Sequence, residues 1–181
     1  MLNVATYSET MKSPVLFPAL KMMKEIRPNL DIILSSTGTT LSEFQENELI
    51  DIGSDYFQFS FDAADKESYN TLMQANHHEI CVETLNMLGK IRDERKSNMK
   101  INTHIMAFEN QVAKFEEFKK EWENKVESIA FRPVGNWGDD SLGIRKQLEK
   151  KGFKGIYQPR EKRYPCASVF MHMKLSPDGN Y

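Results

Sequence analysis

The sequence predicts an α/β protein built on a parallel sheet, and three features predict it. Short apolar segments alternate with longer segments of helical period along most of the chain. The segments between the apolar runs are long enough for crossover helices, which return successive strands in the same direction. Within the apolar runs, residues alternate in character with the period of two that marks a strand.

The elements follow in order. Leu2 to Tyr7, Asp31 to Ser36, Tyr56 to Phe61, Lys100 to Phe108 and Glu127 to Arg132 read as strands. Ser13-Pro14 opens a helix with Leu16, Leu20, Met23 and Ile26 on one face, with Pro18 close to its first turn. Ser42 and Gln45 have capping-box spacing, and Leu49 with Ile52 completes a short amphipathic helix that Gly53 can end. Ile80, Leu85, Leu88 and Ile91 mark a long helix, and Val112, Phe115, Phe118 and Trp122 mark another. After Arg132 the pattern weakens, and Gly135, Gly138, Gly143 and Pro159 break up the chain to about Arg163.

Strand parity points to a site. Phe57, Phe59 and Phe61 alternate with Gln58, Ser60 and Asp62; Ile101, Thr103 and Ile105 alternate with Asn102, His104 and Met106. One face of the sheet is therefore polar, although parallel sheets usually bury both faces. A barrel lumen with a ligand, or an exposed face, accounts for it. The residues nearest the strand C-termini are Glu9, Ser36, Asp62, His104 and Arg132, where barrel and open α/β active sites are built.

Composition narrows the function. The chain has 181 residues, 40% hydrophobic and 28% charged, with net charge −2 and its Lys and Arg scattered among Asp and Glu. No basic stripe announces a nucleic-acid partner. No apolar run approaches the roughly 20 residues that span a bilayer, and the N-terminus lacks a secretory signal, so no membrane is expected and a cytoplasmic location is. Cys81 and Cys166 are the only cysteines, too few for a disulfide framework or for an iron-sulfur cluster by themselves.

Several segments resemble the radical S-adenosylmethionine enzymes. Leu34-Ser-Ser-Thr-Gly-Thr-Thr-Leu41 is similar to that family's Thr-Asn-Gly-Thr strand and turn. The run Tyr56-Phe-Gln-Phe-Ser-Phe-Asp62 is similar to its next strand, which ends in a Ser-Ile-Asp-Gly-like sequence before a helix carrying a Tyr, here Tyr69. Tyr7-Ser8-Glu9-Thr10 aligns with the Gly-Glu-Pro motif, keeping Glu9 and losing its Gly and Pro. Tyr164-Pro165-Cys166 and Ser176-Pro177-Asp178-Gly179 resemble the opening of the SPASM extension.

The resemblance implies a partial (βα)6-type barrel with helices on the outer face. It divides the chain into a barrel core over 1–140, a linker or active-site loop over 141–163 and the start of an auxiliary iron-sulfur domain over 164–181. The implied cofactors are S-adenosylmethionine and a [4Fe-4S] cluster, whose Cys-x3-Cys-x2-Cys loop is not in this sequence. An auxiliary cluster bound through Cys166 is also implied. The implied activity is reductive cleavage of S-adenosylmethionine to a 5'-deoxyadenosyl radical that modifies a peptide or small metabolite. A flavodoxin or ferredoxin would donate the electron, and the isolated chain is expected to be an inactive fragment.

Carried over by motif, Glu9 would accept a hydrogen bond from the methionyl ammonium. Ser60 would meet the cofactor's carboxylate or ribose, and Ser36 and Thr37 would shape its pocket around the permissive turn at Gly38. Asn102 and His104 share the polar parity and would meet adenine, ribose or substrate; Arg132 would pair with a carboxylate. Plainer readings stand beside these: a solvated loop carboxylate for Glu9, backbone bonding for Ser60, a structural strand residue for His104. A non-catalytic binding module derived from a degenerate barrel is the alternative function. A sugar-phosphate lyase or isomerase finds no phosphate-binding Gly-rich loop. His77, His78 and Glu79 read as a helix-start surface, and Cys81 as a small buried hydrophobe.

Overall fold

A computed structural model describes residues 1–4, 9–134 and 143–157. The elements run β1 (Leu2–Val4), α1 (Leu16–Ile26), β2 (Ile32–Ser36), α2 (Glu43–Asp51), β3 (Tyr56–Asp62), α3 (Lys66–Met73), α4 (His78–Glu94), β4 (Lys100–Ala107), α5 (Val112–Trp122), β5 (Ser128–Pro133) and α6 (Ile144–Lys150). All five strands are parallel and lie in the order in which they occur in the chain. Sequential parallel strands joined by crossovers of one hand place every helix on the same face, the winding of a βα barrel. The five-stranded sheet is an open part of such a barrel, with edges at β1 and β5.

Burial divides the two faces. Ile32 and Leu34 of β2, Phe57, Phe59 and Phe61 of β3, and Ile101 and Ile105 of β4 are fully buried in one core with Leu20, Leu49, Leu85, Leu88, Phe118 and Trp122 from the helices. Full burial stabilises roughly 2 kcal/mol per large side chain. Phe61 sits at the middle, its ring within 6.1 Å of the rings of Tyr69, Phe118 and Trp122. On the opposite face Ser35, Gln58, Ser60, Asn102 and Met106 are only partly covered. The phenylalanine stripe thus holds the helices, and the polar stripe is left for something else.

Local chemistry explains the boundaries. Ser42 caps α2 in a reciprocal box, taking the Gln45 N–H on its hydroxyl while Gln45 Oε1 accepts the Ser42 N–H at 3.0 Å. Gly53, at φ 70, lies just beyond the end of that helix. Asp65 caps α3, accepting the Ser68 N–H at 3.1 Å. That short helix carries the buried Tyr69, as the family resemblance implied.

Two expectations change. Leu16 and Leu20 are buried, but Met23 is 37% and Ile26 73% exposed. The last turn of α1 also carries Lys24, whose Nζ lies 3.6 Å from Asp55 Oδ2 just before β3. The stretch 141–163, expected as a linker or active-site loop, contains α6. Beyond that helix the chain returns to the strand ends, where the Ile156 N–H donates to Ala107 O at 2.7 Å and Phe153 meets Phe108 edge-on at 5.2 Å. Cys166, and the rest of 158–181, lie outside the described residues.

Candidate functional site

Two polar clusters form, one at the C-terminal end of β2, where the backbone leaves the ladder and side chains can converge, and one running along β3 and β4 from Gln58 to Asp62. The first is centred on Glu9. Its Oε1 accepts the Ser36 hydroxyl at 2.6 Å and the Met11 N–H at 3.3 Å. Its Oε2 accepts the Thr37 hydroxyl at 2.7 Å and the Thr37 N–H at 3.1 Å. A carboxylate has about four in-plane acceptor positions, and all four are filled from within the chain.

Partial burial works to raise the pKa of Glu9, but the bonds from Ser36, Thr37 and Met11 together outweigh it and hold the carboxyl below the usual glutamate range. Glu9 is therefore ionised and pinned. A further donor gains access to it only if the Ser36 or Thr37 hydroxyl turns away. Ser36 itself has the parity of Ile32 and Leu34, so it stands on the helix side of β2 and reaches Glu9 from the strand end.

Gly38 completes this corner. Its φ is 77, its N–H donates to Ser36 Oγ at 2.9 Å, and its carbonyl accepts the Thr84 hydroxyl of α4 at 3.2 Å. Any Cβ here would run into the Phe59 ring, so glycine is required by space as well as by conformation. Thr37 is fixed from behind, its carbonyl taking the Cys81 thiol at 3.3 Å, while the Tyr69 hydroxyl meets the same sulfur at 3.2 Å.

The second cluster lies on the helix-free face. Gln58 of β3 is in register with Asn102 of β4, and Ser60 with His104. Gln58 Nε2 lies 3.3 Å from Asn102 O and 3.1 Å from His104 Nδ1, and His104 Nε2 lies 3.4 Å from Asp62 Oδ1. Asn102 offers its side-chain carbonyl to the Ser128 hydroxyl of β5 at 2.7 Å. Although His104 has the open-face parity, only 4% of it is exposed.

The clusters share an electrostatic neighbourhood. Burial first, then the Cys81 contact, then the negative charges of Asp62 and Glu9 push the Tyr69 hydroxyl far above its ordinary range. The Cys81 thiol is likewise raised, chiefly by burial, with the same two carboxylates adding to the effect. Both therefore stay protonated at neutral pH, and Cys81 is a buried donor rather than a thiolate.

Of the residues singled out from sequence, Glu9, Ser36 and Thr37 meet in one cluster, and Asn102 and His104 in the other. Ser60 sits beside His104, while Arg132 is exposed on the edge strand opposite Met106. Sequence reasoning named Asp62 only as a strand-end residue and assigned no role to Gln58 or to the fully buried Gln111, which holds Ala64 N–H on Oε1 at 2.9 Å and donates to Ser68 Oγ at 2.8 Å. Parity already placed Gln58 and Asp62 on the polar face. Gln111 had no signal, because its partners lie more than 40 positions away. His77 and Glu79 are exposed at the start of α4, and no three potential metal ligands cluster among the described residues. Nor is any described helix long and apolar enough to cross a membrane.

The architecture defines an α/β protein of the open βα-barrel class. Among solved structures, the chain is similar to a domain of pyruvate-formate lyase-activating enzyme from Bacteroides vulgatus ATCC 8482, with TM-score 0.55 and 11% identity over 87% of this chain and 98% of that one. Two weaker likenesses are to 2,3-dimethylmalate lyase of the PEP mutase/isocitrate lyase superfamily (TM-score 0.43, 10% identity, 75% of this chain and 46% of that one) and to 3-keto-L-gulonate-6-phosphate decarboxylase from Vibrio cholerae O1 (TM-score 0.35, 14% identity, 76% and 56%). At those scores neither bears on function. No protein-family model matches the chain, and no curated protein does at a significant level.

Proposed function

We propose that this chain forms the S-adenosylmethionine-binding part of a radical S-adenosylmethionine enzyme. The observation that carries the reading is the pinned Glu9 carboxylate, tied to Ser36 and Thr37 at the ends of two neighbouring strands where the family-like motifs meet. The fold shared with a domain of an activating enzyme supports it.

The described residues fit such a ligand in part. The partly covered row of Gln58, Ser60 and Asn102 offers donors and acceptors to a nucleoside, and Glu9 supplies a fixed negative charge for an ammonium. When bound and reduced by one electron, S-adenosylmethionine supplies a carbon radical able to abstract hydrogen. This chain's residues bind and orient: Ser60, Asn102 and His104 along the open face, Ser36 and Thr37 at the rim, and Arg132 as a carboxylate partner from the edge strand. A [4Fe-4S] cluster does not fit the described residues, since Cys81 is fully buried against Tyr69 and Thr37 on the helix side. A peptide or small-metabolite substrate, and a flavodoxin or ferredoxin donor, belong to this reading.

The second reading is a binding module without radical chemistry, favoured by the fully occupied acceptor positions of Glu9. Calorimetric titration of the chain with S-adenosylmethionine tests the first. Saturable binding weakened by Ser60→Ala and by Glu9→Gln supports it, and heat of dilution alone at millimolar ligand sinks it. Binding without 5'-deoxyadenosine formation, when the chain is supplied with iron, sulfide, reductant and a cysteine-bearing partner segment, leaves the binding-module reading.

A further inference from the structure

Asp62 occupies an unusual piece of backbone at the end of the central strand. The β3–β4 register shifts between Ser60 and Asp62, so one residue bulges from the ladder. The Ala63 N–H closes back onto Phe61 O at 2.8 Å, making a three-residue turn centred on Asp62, whose φ is 65. A non-glycine residue in that region is held there at some cost by its surroundings. Here the restraint is visible, because buried Gln111 grips the next N–H, that of Ala64. Bulges of this kind re-aim a side chain, and this one brings Asp62 Oδ1 to 3.4 Å from His104 Nε2.

The state of His104 follows from its other neighbour. Gln58 Nε2 faces the Asn102 carbonyl, which can only accept, so the nitrogen of the amide must be on that side. The same nitrogen faces His104 Nδ1 at 3.1 Å and can only donate to it. Nδ1 is thus an acceptor, and the single N–H of the neutral ring is on Nε2, beside Asp62. Neither Asp62 oxygen accepts a hydrogen bond from the described residues, Oδ1 lying 3.4 Å from His104 Nε2, and the side chain is 19% exposed.

We infer that Gln58, His104 and Asp62 form a binding site in which Gln58 sets the histidine tautomer, His104 places its Nε2 beside one oxygen of Asp62, and the other oxygen receives a hydroxyl or ammonium of a ligand on the open face. Gln58 is a positioning residue, since it acts through His104. The site needs no radical chemistry, and it holds or fails independently of the cofactor reading above.

Long-range proton–nitrogen correlation spectra of the whole 181-residue chain test it. His104 is expected to show a protonated Nε2 and a bare Nδ1. Gln58→Glu, which can only accept, should move a proton to Nδ1. A wild-type ring protonated on Nδ1, or a folded Gln58→Glu variant with an unchanged ring, overturns the tautomer assignment; should that variant not fold, the wild-type spectrum decides alone. Glycerol and ethylammonium are then titrated as separate probes while the Asp62 carboxyl carbon is observed. A response to the first identifies hydroxyl recognition, and a response to the second ammonium recognition. Asp62→Asn keeps a residue that tolerates positive φ and should weaken the responsive probe about tenfold. No response to either probe, or equal binding by the Asn variant, overturns the ligand site.

Discussion

The Glu9 carboxylate and the Ser36 hydroxyl meet at 2.6 Å across 27 positions of sequence, joining the segment after β1 to the end of β2. Three further donors complete the knot, so the carboxylate is as much a fastening between two loops as a charge for a ligand.

That fastening makes stability depend on pH in a defined direction. Because the folded state holds Glu9 below its ordinary range, its contribution is present above the unfolded value and is lost as pH falls through the lower folded value. Glu9→Gln, whose amide would turn two donors toward the Thr37 donors, should cost about 1 to 3 kcal/mol at pH 7. Urea titrations at pH 7 and pH 3 should show the gap between wild type and variant shrinking in acid; a constant gap would contradict the assignment.

Glu46 behaves in the opposite sense. It is 2% exposed, its Oε2 has no hydrogen-bond partner among the described residues, and burial with help from nearby Glu43 raises its carboxyl to about 7. The protonated form is favoured in the fold, so stability from this group is full below the unfolded value and is lost as pH rises through about 7. Glu46→Gln should therefore stabilise the protein by about 1 to 2 kcal/mol at pH 8 and by little at pH 4. Thermal melts at the two pH values read the difference directly.

Gly38 combines a positive φ with a Cβ position occupied by the Phe59 ring. Gly38→Ala should destabilise by about 2 to 4 kcal/mol, more than the conformational effect alone. An equilibrium denaturation midpoint within error of wild type would mean that the corner between β2 and α4 is looser than described.

Cys81 should be inert in the native state. It is fully buried, protonated and engaged by Tyr69 and by the Thr37 carbonyl. In a Cys166→Ser background, a thiol reagent should label Cys81 at the rate of opening of the structure, and Tyr69→Phe should speed that labelling. Immediate stoichiometric labelling would show the thiol to be accessible.

Sequence by itself determined the elements with strong local signals. The Phe57-Phe59-Phe61 and Gln58-Ser60-Asp62 alternation follows from the two-residue period of a strand, and the Ser42–Gln45 cap from contacts three residues apart. Five strands and the main helices were legible for this reason, and so were the two faces of the sheet. α6 was not, because it lies in a stretch broken by glycines and carries no long apolar period. Only the tertiary structure decided the pairings that make the candidate site. Gln58 with His104, Asp62 with His104, and Gln111 with the turn after Asp62 join residues 42 to 47 positions apart or placed by a local bulge, and no local pattern encodes them. They form because a parallel sheet sets neighbouring strands side by side after a long crossover, and that register, rather than spacing along the chain, chooses which polar groups meet.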